Sequence, residues 1–255
     1  MQLNRLKFNA NKIKIILMGD EHLGSKYYDK ELHKRWINWI LKEPNTYVIG
    51  MGDHLETATK NSIGAGVFEQ DKVVQEQLEA SYELYKPLAD KGKLLGMHIG
   101  NHEERLYKHS GMDLIKTLCK MLSTKKYKVK YYGIGVLHYI KVDSQSYTMY
   151  TTHGHSGARL PYTKIKACID LGNMVDVDIY AMGHTHQLSH HVRQFYKVNK
   201  RDSTVTESGK HYLLTGSFLT HWGSYAQEAG YEMMRRGCPT VKLHGRENKI
   251  RVSIG

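Results

Sequence analysis

An α/β layered architecture follows from two patterns in this chain. Short apolar runs alternate with stretches of helical periodicity, the order expected of strands packed against helices. Five of those runs also end alike, in glycine or a short polar step followed by Asp, Asn or His. Residues at the carboxyl ends of strands line the ligand crevice of open α/β sheets.

The elements can be justified in order. IKIILM, residues 13–18, is a first buried strand. Asp29 is a helix N-cap, and DKELHKRWINWILK carries Leu32, Trp36 and Ile40 on one face before Pro44 ends it. TYVIGMGD is the second strand. The glycine-bearing loop from Thr57 to Phe68 leads into a long helix over residues 71–84 that should stop near Pro87. KLLGMHIGN is the third strand and GMDLIKTLCKML another helix. VLHYIKV and SYTMYTTHG form a strand pair across the turn residues DSQ. A helix over TKIKACIDLGNM and a strand over DIYAMG follow, and then a hairpin of SHHVRQFYKV and KHYLLTGSF. With no linker and no repeat, residues 1–255 read as a single domain.

Composition excludes several classes. No window approaches eighteen apolar residues, so nothing is expected to span a membrane, and the first twenty residues lack a signal peptide's apolar core. Three scattered cysteines argue against a disulfide scaffold and for a reducing, cytoplasmic setting. The net charge of +12 favours a polyanionic partner. The longest acid-free stretch, residues 114–142, holds seven lysines. In KKYKVKYY, Lys126, Lys128 and Lys130 alternate with Tyr127, Val129 and Tyr131, which is better read as a half-buried strand than as a nucleic-acid patch.

The strand ends carry the chemistry. They supply Asp20 and His22 (GDEHLG), Asp53 (GMGDHLE), Asn101 and His102 (GNHEE), His153 and His155 (TTHGH), and His184 and His186 (GHTH). Each alone is more often a turn, a cap or a core histidine; five independent ends with one chemistry point to a shared site. Imidazole, carboxylate and amide oxygens without thiolate suit Mn, Fe, Zn or Co rather than a calcium cage.

In their order and spacing these motifs resemble the calcineurin-like metallophosphoesterase family, from about Ile13 to Ser217, and its compact bacterial and phage members in particular. The resemblance implies a four-layer αββα sandwich with a dinuclear metal centre. Asp20, His22 and His186 would hold one ion, Asn101, His153 and His184 the other, and Asp53 would bridge them. The implied cofactors are two divalent transition metal ions, manganese first. A metal-bridging hydroxide would attack the phosphate ester, and His102 would protonate the leaving oxygen. Glu56 and Glu103 fit as groups orienting the ligands. His155 is left open between replacing His153, touching substrate and bracing its loop. GDEHLG and GDHLE depart from the phosphoprotein-phosphatase pattern, so the expected reaction is phosphodiester hydrolysis on nucleic acid or a nucleotide. A phosphomonoesterase and a non-catalytic scaffold are the alternatives. Substrate choice is assigned by position to the loop from Thr57 to Phe68.

Overall fold

The protein is described by a computed structural model that covers residues 3–60, 62 and 66–254. Part of the loop expected to choose substrate, residues 61 and 63–65, lies outside the described residues.

Two six-stranded sheets lie face to face with helices outside each. In chain order the strands are β1 (Leu3–Phe8), β2 (Lys12–Met18), β3 (Thr46–Gly50), β4 (Leu94–His98), β5 (Lys130–Gly133) and β6 (Gly135–Val142). They continue as β7 (Gln145–Thr152), β8 (Ile179–Met182), β9 (Leu188–Asn199), β10 (Thr204–Thr215), β11 (Thr240–His244) and β12 (Ile250–Ser253). One sheet has the order β1-β6-β7-β8-β10-β9, the other β12-β11-β2-β3-β4-β5. The helices are α1 (Lys30–Lys42), α2 (Val74–Asp90), α3 (Asn101–Ser110), α4 (Leu114–Leu122), α5 (Pro161–Asp170) and the short α6 (Tyr225–Glu228).

The continuous apolar run of β2 has a physical reason: both of its faces are covered. Ile13, Ile15 and Leu17 meet Val136, Ile140, Met149 and Leu213 of the other sheet, whereas Ile16 and Met18 meet Ile37 and Ile40 of α1 and Leu88 of α2. On the far side, Cys168 of α5 packs on Tyr180, Tyr212 and Leu214. These are the expected four layers, helix–sheet–sheet–helix. All three cysteines are buried and free. No helix among the described residues is long and apolar enough to cross a membrane.

Several expectations need adjustment. β1 was not foreseen, because its sheet-facing side carries a buried Asn4 where an apolar residue would signal a strand. α2 runs through Pro87 to Asp90; the lost N–H falls in the last turn, and burial of Tyr85, Leu88 and Ala89 holds that turn in place. The buried line of α1 is His33, Ile37 and Ile40, with Leu32 and Trp36 at its margin. Asp29 caps it as expected, accepting from the Leu32 N–H at 2.9 Å. In the lysine–tyrosine stretch the alternation holds: the three lysines are exposed and Val129 is buried, although only its end pairs as β5. In the hairpin, β9 is one residue longer at each end than expected, whereas β10 begins six residues early, at Thr204, and ends at Thr215 before GSF, leaving a turn at residues 200–203.

A polar chain crosses the interior between β1, β4, β6 and β7. The His98 Nδ1–H donates to the Gly133 carbonyl (3.0 Å), so its Nε2 accepts from the Thr151 hydroxyl (2.7 Å). That hydroxyl accepts from His138 Nε2–H (2.7 Å), whose Nδ1 accepts in turn from the Asn4 amide (3.1 Å). Each link fixes the next, and both imidazoles are held neutral.

Candidate metal centre

Five strand ends deliver the site. Asp20 and His22 follow β2, Asp53 follows β3, Asn101 opens α3 after β4, His153 follows β7, and His184 with His186 follows β8. Asp20, His22, Asp53, His184 and His186 all have left-handed backbones, with φ between +49° and +66°. Such conformations cost on the order of 1 kcal/mol or more each and cluster at functional sites. Backbone bonds between the two loops offset the strain: Asp20 N–H to Gly52 O at 2.9 Å, His22 N–H to Asp53 O at 3.0 Å, and Leu23 N–H to His54 O at 3.0 Å.

Glycine is required at two points here. Gly52 has φ +93°, and a Cβ on it would meet His153 Nδ1 at 2.6 Å. A Cβ on Gly100 would stand 2.1 Å from Asp53 Oδ1 and 2.2 Å from its backbone nitrogen. The close passage of Gly100 lets the His102 N–H reach Asp53 Oδ1 at 2.9 Å.

The side chains form three sets whose potential ligand atoms lie within 4.8 Å of one another: Asp20, His22 and His186; His22, Asp53 and His102; Asp53, His153 and His184. Asp53 belongs to two of them. Asn101 Oδ1 joins the third, 3.0 Å from His153 Nε2 and 2.7 Å from His184 Nδ1. All seven sequence-derived ligand candidates and His102 therefore meet. His155 does not join a set; it is exposed, with its ring centre 5.3 Å from that of His184.

The surroundings orient these groups as metal ligands are oriented. His22 uses Nδ1 toward Glu56 Oε2 (3.1 Å), which turns Nε2 inward to 3.1 Å from His186 Nε2 and 3.8 Å from Asp53 Oδ2. His153 gives its Nδ1–H to the Met51 carbonyl (2.9 Å), and its Nε2 faces Asp53 Oδ2 at 3.3 Å. Asp20 Oδ2 accepts from the His184 N–H at 3.1 Å. Its Oδ1 is buried without a hydrogen bond, although His186 Nε2 is 3.3 Å away. A buried carboxylate oxygen left in this way is costly unless a cation meets it.

Electrostatics point the same way. Burial opposes charge on His22, but Glu56, Asp53 and Asp20 outweigh it and raise the imidazole to about 9. Burial is likewise overcome at His153, raised to about 10 chiefly by Asp53. Asp53 is held well below the usual carboxylate range despite burial, by His153, His102 and His22. The pocket thus draws positive charge, and a divalent ion would displace those protons. His184 is pushed down to about 4 by burial and by His153, so it is neutral and able to ligate. The residues fit a divalent metal centre.

Glu103 is buried and accepts from the Leu55 N–H (2.8 Å) and Gly100 N–H (2.9 Å), which fixes the Asp53 and Asn101 loops against each other. Sequence reasoning missed a second brace. Glu21 lies between two candidate ligands, contacts His54 Nδ1 at 2.9 Å and accepts from the Tyr85 hydroxyl. His54 in turn accepts from Gly52 N–H at 3.2 Å. The only signal was a pair of charged neighbours beside Asp20 and Asp53. Farther along the chain, His221 Nε2 contacts the Tyr231 carbonyl at 2.9 Å, and Trp222 is exposed.

No family model matches the chain, and no curated protein does. Similar solved structures include a conserved uncharacterized protein, a predicted phosphoesterase, from Streptococcus pneumoniae, at 14% identity over 94% of this chain and 88% of that one, TM-score 0.39. Vps29 complexed with Zn²⁺ from Entamoeba histolytica gives 13% identity, 94% and 97% coverage and TM-score 0.39. Vps29 from Chaetomium thermophilum gives 12%, 94% and 96%, and 0.40. TM-scores of 0.39 to 0.40 at 12 to 14% identity carry no functional conclusion for this chain, whose site is read from its own geometry.

Proposed function

We propose that the chain is a metal-dependent phosphoesterase that prefers diesters of nucleic acid or nucleotides. The observation that supports this reading most is the convergence of Asp20, His22, Asp53, Asn101, His153, His184 and His186, with Asp53 shared between sets. Two divalent transition metal ions, manganese first, would acidify water there and neutralise phosphoryl oxygens during in-line displacement.

The chain's own residues supply the rest. Asp53 would hold the two ligand sets in register. Glu56 and the Met51 carbonyl keep His22 and His153 aimed inward. His102 gives its Nδ1–H to the Glu56 carbonyl at 2.8 Å, so its Nε2 looks into the site, 4.0 Å from Asp53 Oδ2. From there it can protonate the departing oxygen, a role typically worth ~10²–10⁴ in rate. The +12 charge supports an anionic, nucleotide-type substrate.

The test is the turnover of bis-p-nitrophenyl phosphate against p-nitrophenyl phosphate by manganese-loaded protein. A diester-to-monoester ratio above one is expected. A ratio below one makes the protein a phosphomonoesterase, and no turnover of either, with metal bound, returns it to the scaffold class.

A further inference from the structure

A trough leads away from the candidate metal centre on the side of Asn101 and His153. Its first part is a cavity of about 450 Å³ bordered by those two residues and His155. Ile99, Glu104 and Ile134 also border a second cavity, of about 780 Å³, along α3 and α4. The two therefore adjoin, and the second is in the range of ligand-holding clefts.

Two features of the second cavity are not explained by packing. Three of its apolar side chains stand far out in water: Ile134 is 70% exposed, Met112 56% and Tyr107 49%. Its two lysines also make no ion pair among the described residues, while each of its two carboxylates holds a partner within the protein. Glu104 pairs with Lys108 at 3.3 Å, and Asp113 caps α4 by accepting from the Lys116 N–H at 2.8 Å. Lys116 and Lys120 project from α4 one turn apart, and neither has an ion pair among the described residues. Both belong to the acid-free, seven-lysine stretch of residues 114–142. Apolar and aromatic surface beside ammonium groups that make no ion pair suits a single nucleic-acid strand, whose bases are open to stacking and whose phosphates need counter-charge. A duplex hides those base faces.

We infer that this cavity is a subsite for single-stranded nucleic acid continuing past the scissile phosphate, with bases on Tyr107, Met112 and Ile134 and phosphate on Lys116 and Lys120. The inference rests on the phosphodiesterase reading for where the strand is cut, but binding can be read without catalysis.

The experiment is fluorescence anisotropy of a labelled single-stranded oligonucleotide of about ten nucleotides, with chelator-treated full-length protein. The double variant Lys116→Glu/Lys120→Glu should weaken binding about tenfold or more and lower the salt slope by about two. Ile134→Asp, at an exposed position, should weaken it about fivefold. Lys197→Glu/Arg201→Glu, on the exposed β9–β10 hairpin, should leave binding within about twofold. Three results overturn the subsite: no binding by the wild type, no loss in the Lys116/Lys120 variant, or equal loss in the hairpin variant. Duplex of the same length bound as tightly, with the same dependence on Ile134, overturns the single-strand assignment. If the wild type fails on bis-p-nitrophenyl phosphate while the binding losses occur, the catalytic reading falls and the subsite stands.

Discussion

Acidification should loosen this fold from the inside, through His98 and His138. Both are buried, and each already donates one ring N–H and accepts at the other nitrogen in the chain that runs through Thr151. A proton on His98 Nε2 would face the Thr151 hydroxyl, which already accepts from His138. Burial, helped by neighbouring positive groups, pushes each imidazole down to about 3 from 6.5. The unfolded chain takes up these protons below pH 6.5 and the folded chain does not, so stability is complete above that value and falls as pH drops toward 3. The slope is about 1.4 kcal/mol per pH unit per histidine. At about pH 5 the loss is therefore about 2 kcal/mol each and about 4 together. That is a large part of a typical total of about 5–15 kcal/mol. Urea unfolding of chelator-treated wild type and His98→Leu, at about pH 7 and about pH 5, isolates one group, since the other titrations are common to both proteins. The variant should be the less stable at neutral pH, because Thr151 and the Gly133 carbonyl lose partners. The gap should narrow by about 2 kcal/mol at the lower pH. A gap that stays constant refutes the reasoning.

Four further outcomes are expected. Asp53→Asn should abolish divalent-metal retention by elemental analysis and remove the metal-induced rise in melting temperature, worth about 2.7 kcal/mol at a hundredfold excess over Kd. His102→Ala should keep its metal yet lose about 10²–10⁴ in diester turnover; a fall below about fivefold would show that it is not the proton donor. Gly100→Ala drives a methyl into the Asp53 backbone, so thermal melts should show a loss of about 1–3 kcal/mol together with weakened metal binding. His54→Leu leaves Glu21 charged and buried beside the site. It should cost about 3–5 kcal/mol by urea unfolding, and restoring a donor with His54→Gln should recover part of that.

The sequence alone placed the candidate site residues at strand ends, because a strand covered on both faces must be apolar to its end and the first polar residues then stand out. Asp20, His22, Asp53, Asn101, His153, His184 and His186 were legible for this reason, as was the helix cap at Asp29. Where a buried face is itself polar, the contrast disappears. β1 went unread because Asn4 points inward, and Glu21 and His54 passed for ordinary charged neighbours although each is buried against the other. The polar chain from Asn4 to His98 joins β1, β4, β6 and β7, and no local pattern can record partners that stand 13 to 134 residues apart. Tertiary packing also carried α2 past Pro87, since burial of its last turn outweighs one missing hydrogen bond. It decided, too, that His155 lies outside the cluster while His153 lies within: both are histidines at one strand end, and only the loop's path sends one inward and the other into water.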